Sequence, residues 1–410
     1  MGVPVMQRWL LQLMLVSGLS AIAIAAARPM VTYRALELGA SPVGIGLIAS
    51  SFSALALLAA LPLGRWMDRA DEGRFLVAGT VLVAAASFAM VLTDSLVGLA
   101  ISHAALGLGH VTNLIAGQSM VANRTAAGER DQRFGTYSTV ASLGQMIGPA
   151  VAAVLVTITA ASVAAVPAGS PNHQAAAFML SGLCALTATA AAVGFRRSDI
   201  QMTTGRTPQR ESAPLAAVRM LRRPGMLSAM LVSVIVISSI DVLVAYLPAF
   251  GDANGLPVAL VGALLALRAG ASMTSRLIMG RLIRVLGRRA LLTFSMGTAG
   301  LGLLLLPFAP VPVLVVLMAL VGFGLGVGQP MTMAWVADQS LPGESATSLG
   351  IRLAGNRAAL IVAPTIVGAI GGAVGLAGIF AAVAMALGGG AAVAARAPLS
   401  KSTDHGDPVD

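Results

Sequence analysis

The stretch LLTFSMGTAGLGLLLLPFA, residues 291–309, contains no charged side chain and decides the fold class. Two further charge-free runs occupy residues 76–92 and 226–240. About 20 mostly apolar residues are needed to cross the roughly 30 Å hydrocarbon core of a bilayer as a helix. Lipid offers the backbone no hydrogen-bond partner, so a crossing segment has to satisfy its own N–H and C=O groups. The sequence therefore predicts an all-α integral membrane protein.

Composition excludes several other classes of protein. Hydrophobic residues make up 57% of the chain and charged residues 10%, whereas soluble domains carry about 25% charged residues. The net charge of +10 comes from arginines between the apolar runs, which is typical of cytoplasmic loops and does not indicate nucleic-acid binding. Cys184 is the single cysteine and Lys401 the single lysine, which excludes an intrachain disulfide and a Walker A nucleotide site. We expect no enzyme active site, no metal and no cofactor.

Apolar runs and the breaks between them predict twelve spans. They lie at residues 8–31, 43–64, 75–93, 96–120, 134–160, 174–194, 226–250, 257–280, 289–309, 311–336, 346–370 and 372–395. An even number of spans places both termini on the same side of the membrane.

The arginines indicate which side that is. Loops after the second, fourth, sixth and eighth spans are rich in arginine, and the opposite loops offer only Arg34. By the positive-inside rule, both termini are predicted to be cytoplasmic, in a bacterial inner membrane. The expected organisation is a six-helix bundle over 1–194, a cytoplasmic linker over 195–223, a second six-helix bundle over 224–397, and a disordered cytoplasmic tail over 398–410.

The two halves look like repeats of each other. Markers recur at offsets of 215 or 216 residues: Gly64-Arg65 and Gly280-Arg281, Gly107 and Gly322, Gly109 and Gly324, Pro149 and Pro364. Each pair falls in corresponding spans. Parallel six-helix repeats are typical of one large group of secondary transporters.

The loop from Gly64 to Arg74 resembles the signature loop between spans two and three of the major facilitator superfamily. The resemblance rests on Gly64, on Asp68-Arg69, and on Gly73-Arg74, with one extra residue before Gly73. It implies the twelve-helix major facilitator fold and a gating role for these residues. In that family the acidic residue of the loop meets the start of span eleven, so Asp68 is expected to pair with Arg352. The alternative is an ordinary topogenic loop.

Span five is similar to the antiporter motif of the family's exporter branches. The similarity rests on Gly135, Gly144, Gly148 and Pro149, with alanine pairs where glycine pairs are usual. Small residues four apart let two helices pack closely, and proline bends a helix. The resemblance implies export of a drug, siderophore-like compound or other metabolite. A generic packing face is the alternative.

Span four departs from the family pattern. Exporters of the family usually carry an arginine four residues before a glycine here, and this chain has His103 before Gly107. An imidazole titrates near neutral pH, so His103 is a candidate proton carrier. It is equally a candidate for a hydrogen-bonded helix-packing residue.

Charged residues inside spans are candidate functional residues because burying them in lipid is costly. The candidate residues for a central cavity that binds substrate or a proton are Asp241, Arg268, Arg357, Asn356 and His103. We expect Asp241, Arg268 and Arg357 to lie near one another. They could form a structural ion pair or bind a substrate and a proton. Arg28 and Arg34 are expected to be interfacial anchors, and Arg276 is expected to extend towards the interface.

These observations together predict a monomeric secondary transporter of a small organic molecule, coupled to protons and exporting its substrate. Uptake of a nutrient, vitamin or organic acid on the same fold is the alternative. Excess arginine in the second half is consistent with an anionic substrate.

Overall fold

The computed structural model describes residues 8–67, 71–125, 130–163, 173–195, 221–339 and 345–397. Within these ranges, twelve helices are long and apolar enough to cross a membrane. They are α1 (Arg8–Glu37), α2 (Pro42–Met67), α3 (Glu72–Val91), α4 (Leu96–Arg124), α5 (Arg130–Val163), α6 (Ala175–Val193), α7 (Met226–Ala253), α8 (Val258–Leu286), α9 (Arg288–Leu305), α10 (Val311–Asp338), α11 (Ser345–Val374) and α12 (Leu376–Arg396). The predicted all-α, twelve-span fold is confirmed.

Several helix ends differ from the predicted positions by a few residues. The last two helices separate at Gly375, with a φ of 81°, and not near residue 371. A positive φ suits glycine because glycine has no Cβ to clash. Helix α1 continues to Glu37 instead of ending near residue 31, because Arg34 is buried and bonds to Glu37 and Asp94 at 3.1 and 2.8 Å.

The helices form two six-helix halves, α1–α6 and α7–α12. Buried apolar residues of the first half form two clusters, and a second core lies mainly in the second half and includes Ile45 and Ala49 of α2. The second core is filled by large buried side chains, among them Tyr246, Phe250 and Phe380. The rings of Phe250 and Phe380 meet edge to face at 5.5 Å. Most of the linker lies in 196–220 and the tail in 398–410, outside the described residues, so the predicted organisation of those segments stays a prediction.

The same close helix crossing occurs once in each half. A methyl group on Gly107 of α4 would lie 1.8 Å from the carbonyl oxygen of Phe52 in α2. A methyl group on Gly322 of α10 would lie 2.3 Å from the carbonyl oxygen of Arg268 in α8. Both crossings therefore require glycine.

The remaining repeat markers also occupy equivalent positions in the two halves. Gly109 approaches the backbone of α3, and Gly324 approaches that of α9, with carbonyl oxygens 2.8 and 2.3 Å from the position of an added methyl group. Pro149 and Pro364 both lie inside helices, α5 and α11. The predicted pseudo-repeat is confirmed.

Loops 38–41, 92–95 and 254–257 lie at one end of the bundle, which we call the outer end. Hydrogen bonds join the two halves near this end. The hydroxyl of Tyr246 in α7 lies 2.9 Å from the carbonyl oxygen of Pro42 and 3.0 Å from that of Pro364. Tyr246 is fully buried. It fits because Gly46 and Gly368 flank it, and a methyl group on either would lie within 2.7 Å of the hydroxyl oxygen.

Two more hydroxyl groups cross between the halves nearby. Thr32 of α1 donates to the carbonyl oxygen of Ala245 at 2.8 Å. Ser50 of α2 donates to the carbonyl oxygen of Ile361 at 2.6 Å and lies 2.9 Å from the hydroxyl of Thr365. We call Thr32, Ser50 and Tyr246 with their carbonyl partners the outer gate. These bonds hold the outer end closed.

Candidate functional site

An ion pair joins the two halves in the interior of the bundle. Arg28 of α1 donates to Oδ1 of Asp241 in α7. Asp241 is 5% exposed, and the Arg28 side chain is 18% exposed. The prediction that Arg28 is an interfacial anchor is wrong. Helix α1 extends nine residues beyond Arg28, about 13 Å at 1.5 Å per residue, and this places the guanidinium inside the bundle.

The pair leaves polar atoms without protein partners. Among the described residues, Oδ2 of Asp241 and Nε of Arg28 are buried and make no hydrogen bond. Buried polar atoms are ordinarily bonded, so atoms left over in a membrane interior mark a candidate ligand or proton site.

Two more arginines interact electrostatically with Arg28. Arg357 of α11 interacts electrostatically with Asp241 and with Arg28. Arg268 of α8 is 7% exposed, interacts with Arg28, and has an unbonded Nε among the described residues. Arg28, rather than the expected Arg268, makes the direct contact with Asp241. Three arginines and one aspartate give the cluster a formal charge of 3 − 1 = +2.

An aromatic wall lies against the same cluster. The guanidinium of Arg28 stacks on the ring of Phe52 in α2, with Cζ of Arg28 4.6 Å from the ring centroid. The rings of His103 and His110, both in α4, lie 5.2 and 5.7 Å from Phe52. Phe52 makes a cation–π contact with the Arg28 guanidinium, and this contact stabilises the charge where water is excluded.

His103 is held by the backbone of α2. Its Nδ1 lies 2.8 Å from the carbonyl oxygen of Ile48, so Nδ1 carries a hydrogen and donates it. Its Nε2 is buried with no partner among the described residues. This geometry supports the helix-packing interpretation, and a proton-carrying role for His103 stays a prediction.

Asn356 and Arg352 bond within the second half. Oδ1 of Asn356 accepts from the hydroxyl of Ser233 at 3.1 Å, which joins α11 to α7. Arg352 donates to Oε1 of Gln329 at 2.9 Å and to the hydroxyl of Thr332 at 3.0 Å, both in α10. Its predicted partner Asp68 lies outside the described residues, so the gate between them stays a prediction.

The signature loop is described in part. Gly64 lies in α2, and Asp68 with Arg69 lies outside the described residues. Asp71 caps α3, and its Oδ1 accepts from the N–H of Gly73 at 3.1 Å. A carboxylate at a helix N-terminus is stabilised by the unpaired N–H groups there. Arg74 is exposed.

Helix α5 packs tightly on α1 through its small residues. A methyl group on Gly144 would lie 2.5 Å from Cβ of Ala21, and one on Gly148 would lie 2.7 Å from the carbonyl oxygen of Ile22. Gly135 lies in α5 as well. The contact is between two helices of the same half, and it sets the position of the helix that carries Arg28.

Arg276 of α8 does not extend freely towards the interface. Its Nε donates to the carbonyl oxygen of Gly326 at 2.9 Å. Pro330 lies inside α10 four residues later. Since proline has no N–H, it leaves that carbonyl without its helical partner, and Arg276 replaces the missing donor.

Little space remains on the outer side of the ion pair. A cavity between α1, α2, α4 and α7 is lined by residues that include Arg28, Thr32, Ile48, His103 and Ala245. The volume open to the centre of a water molecule is about 10 Å³, close to the minimum for one water. This cavity is therefore too small to hold an organic solute in this conformation.

The arrangement combines a single buried carboxylate with surplus positive charge. Oδ2 of Asp241 is the carboxylate oxygen left without a hydrogen-bond partner among the described residues. Among the described residues, no group of three or more His, Cys, Asp or Glu side chains could hold a metal ion.

Comparison with known proteins identifies the class. The family model of the Major Facilitator Superfamily matches residues 13–284 and 242–408. The chain belongs to the major facilitator superfamily, and it is a multi-pass membrane transporter. No curated protein sequence is significantly similar to it.

Solved structures share the fold at low sequence identity. The nucleoside transporter NupG superposes with a TM-score of 0.73 at 14% identity, covering 95% of this chain and 98% of that one. A bacterial homologue of the human lysosomal transporter Spinster, in an inward-facing and occupied conformation, gives 0.72 at 14% identity, covering 94% and 95%. These similarities define the fold and not the substrate.

Proposed function

We propose that this chain is a proton-coupled secondary transporter of a small organic solute, in which Asp241 carries the proton. The Arg28–Asp241 ion pair supports the proposal, because it joins α1 of one half to α7 of the other. Breaking one partner of a buried pair costs about 3–5 kcal/mol. Protonation of Asp241 therefore changes how strongly the halves hold together.

Coupling follows from that link. With Asp241 ionised, the pair adds to the hydroxyl contacts of the outer gate and favours the closed outer end. With Asp241 protonated, only the neutral contacts remain, and the outer end can open. A conformational change that depends on protonation is what an ion-coupled transporter needs.

Two directions of transport are candidates. The first is export, favoured by the resemblance of Gly144, Gly148 and Pro149 to the antiporter motif. The second is uptake of a nutrient, vitamin or organic acid, and the formal charge of +2 around Asp241 would suit an anionic substrate in either direction. In either case we expect the inner membrane of a bacterium, cytoplasmic termini and a monomer.

The test begins with a growth screen of an overexpressing strain to find a transported compound. That compound is then followed in everted and in right-side-out membrane vesicles under an imposed pH gradient. Accumulation in everted vesicles indicates export, and accumulation in right-side-out vesicles indicates uptake. We expect Asp241→Asn to abolish accumulation in either preparation while exchange of substrate at equal pH continues.

Two outcomes would contradict the proposal. Accumulation that survives both Asp241→Asn and His103→Gln would exclude these residues as carriers. Accumulation that a protonophore does not affect would exclude proton coupling altogether.

A further inference from the structure

The central cluster has more cations than it can neutralise. Arg28 and Arg357 interact with a single carboxylate, Asp241, and Arg268 interacts with Arg28, among the described residues of the cluster. Uncompensated charge inside a membrane protein is costly unless a partner or water stabilises it. A transported solute that brings negative charge would supply the missing partner.

Asp241 already shows how a carboxylate binds there. One of its oxygens accepts from Arg28, and the other is unbonded among the described residues. Guanidinium groups bind carboxylates well because their N–H donors match the two oxygens in geometry. A carboxylate on a solute would use the same donors.

We propose that the transported solute is an organic carboxylate, and that its carboxylate replaces that of Asp241 on Arg28 once Asp241 has taken up a proton. The inference rests on the proposed proton coupling but not on the export direction. No covalent bond of the solute changes. The proton binds at the Asp241 carboxyl group, the guanidinium of Arg28 is released, and it then donates to the solute.

This mechanism predicts that the proton and the solute cross the membrane in the same direction. Proton and carboxylate occupy the cluster together, because the solute binds Arg28 only when Asp241 is neutral. A monocarboxylate moving with one proton transfers no net charge. Of the two candidate directions, this mechanism favours uptake driven by an inward proton gradient.

Other charged and titratable groups lie near Asp241, and their effects on carboxylate binding have to be distinguished from the effect of Asp241. Arg28 faces it from α1 and Arg357 from α11. Arg28 acts electrostatically on His103 and His110 of α4, and Arg357 acts on His110. Variants at both histidines are therefore needed beside the variants at Asp241, because an imidazole can also respond to pH.

The experiment measures thermal unfolding of the purified full-length protein in detergent. The probes are acetate, benzoate and succinate, each compared with its amide, which has similar shape and no charge. Measurements are made at acid and at alkaline pH. We expect at least one carboxylate to stabilise the protein where its amide does not, with apparent affinity that rises as the pH falls.

Variants then locate the effect. Asp241→Asn frees Arg28 permanently, so carboxylate affinity should become high and independent of pH. His103→Gln and His110→Gln should keep the pH dependence of the unaltered protein. Arg28→Gln, which leaves a charged hydrogen bond unmade, should weaken binding about tenfold or more. The double variant Arg28→Gln, Asp241→Asn leaves no member of the pair charged, so it reports on binding even if the single variant folds poorly.

Arg288→Gln is the matched control. Arg288 pairs with Asp338 at the surface, 2.7 Å away, so its loss removes one positive charge elsewhere and should leave carboxylate affinity unchanged. The proposal is overturned if no carboxylate binds more tightly than its amide, or if Asp241→Asn weakens carboxylate binding. Carboxylate binding combined with transport insensitive to a protonophore would instead retain the ligand class and reject the proposed proton coupling.

Discussion

Removing the hydroxyl of Tyr246 should loosen the outer gate. Tyr246→Phe keeps the buried ring and deletes the bonds to the carbonyl oxygens of Pro42 and Pro364. One hydroxyl proton serves one acceptor at a time, so the loss is that of a single neutral hydrogen bond, about 1 kcal/mol. A change of that size shifts the ratio of closed to open outer end about fivefold.

The assay is a distance measurement across the outer end by pulsed electron paramagnetic resonance. Spin labels are introduced by Leu92→Cys and Val374→Cys in a Cys184→Ser background. Leu92 and Val374 are 83% and 66% exposed, so labels there should not disturb packing. We expect Tyr246→Phe to increase the population with the longer distance.

Tyr33→Phe provides the control. The Tyr33 hydroxyl is buried in α1 and has no hydrogen-bond partner among the described residues, so its removal should leave the distances unchanged. A gating role for the Tyr246 hydroxyl is refuted if Tyr246→Phe leaves the distance distribution unchanged, or if Tyr33→Phe shifts it equally.

Three further predictions concern the helix crossing, the predicted gate and the topology. Gly107→Val should prevent stable folding, because even a methyl group would lie 1.8 Å from the carbonyl oxygen of Phe52. The measurement is the amount of monodisperse protein after extraction, and a well-folded variant would contradict the prediction. Asp68→Asn should impair transport at normal expression if Asp68 pairs with Arg352, and unchanged transport would exclude that gate. A reporter inserted after Gly205 should read the cytoplasm, and a periplasmic signal would reverse the topology.

The sequence predicted the fold well because hydropathy and small-residue spacing determine it. Twelve apolar runs define the helices, and Gly107 with Gly322 marks the two equivalent crossings. The break at Gly375 was missed because several nearby glycines look alike in sequence. Only the observed backbone distinguishes the one with positive φ.

The central site was predicted in part, and the error at Arg28 has a physical cause. Ending the first span near residue 31 placed Arg28 at the membrane surface. Residues 32–37 remain helical because buried Arg34 finds carboxylate partners, and this moves Arg28 into the interior. Which side chain then meets Asp241 depends on the rotation of α1 against α7, and hydropathy does not specify that rotation.

The two equivalent crossings have an evolutionary consequence. Phe52 and Arg268 each present a carbonyl oxygen to a glycine, so the close helix contact itself involves their backbones and not their side chains. If a single duplicated gene segment produced both halves, the two positions began identical and diverged into an aromatic support and a cation. A substitution at either position would change the side chains around the central cluster while the backbone contact with the glycine remains.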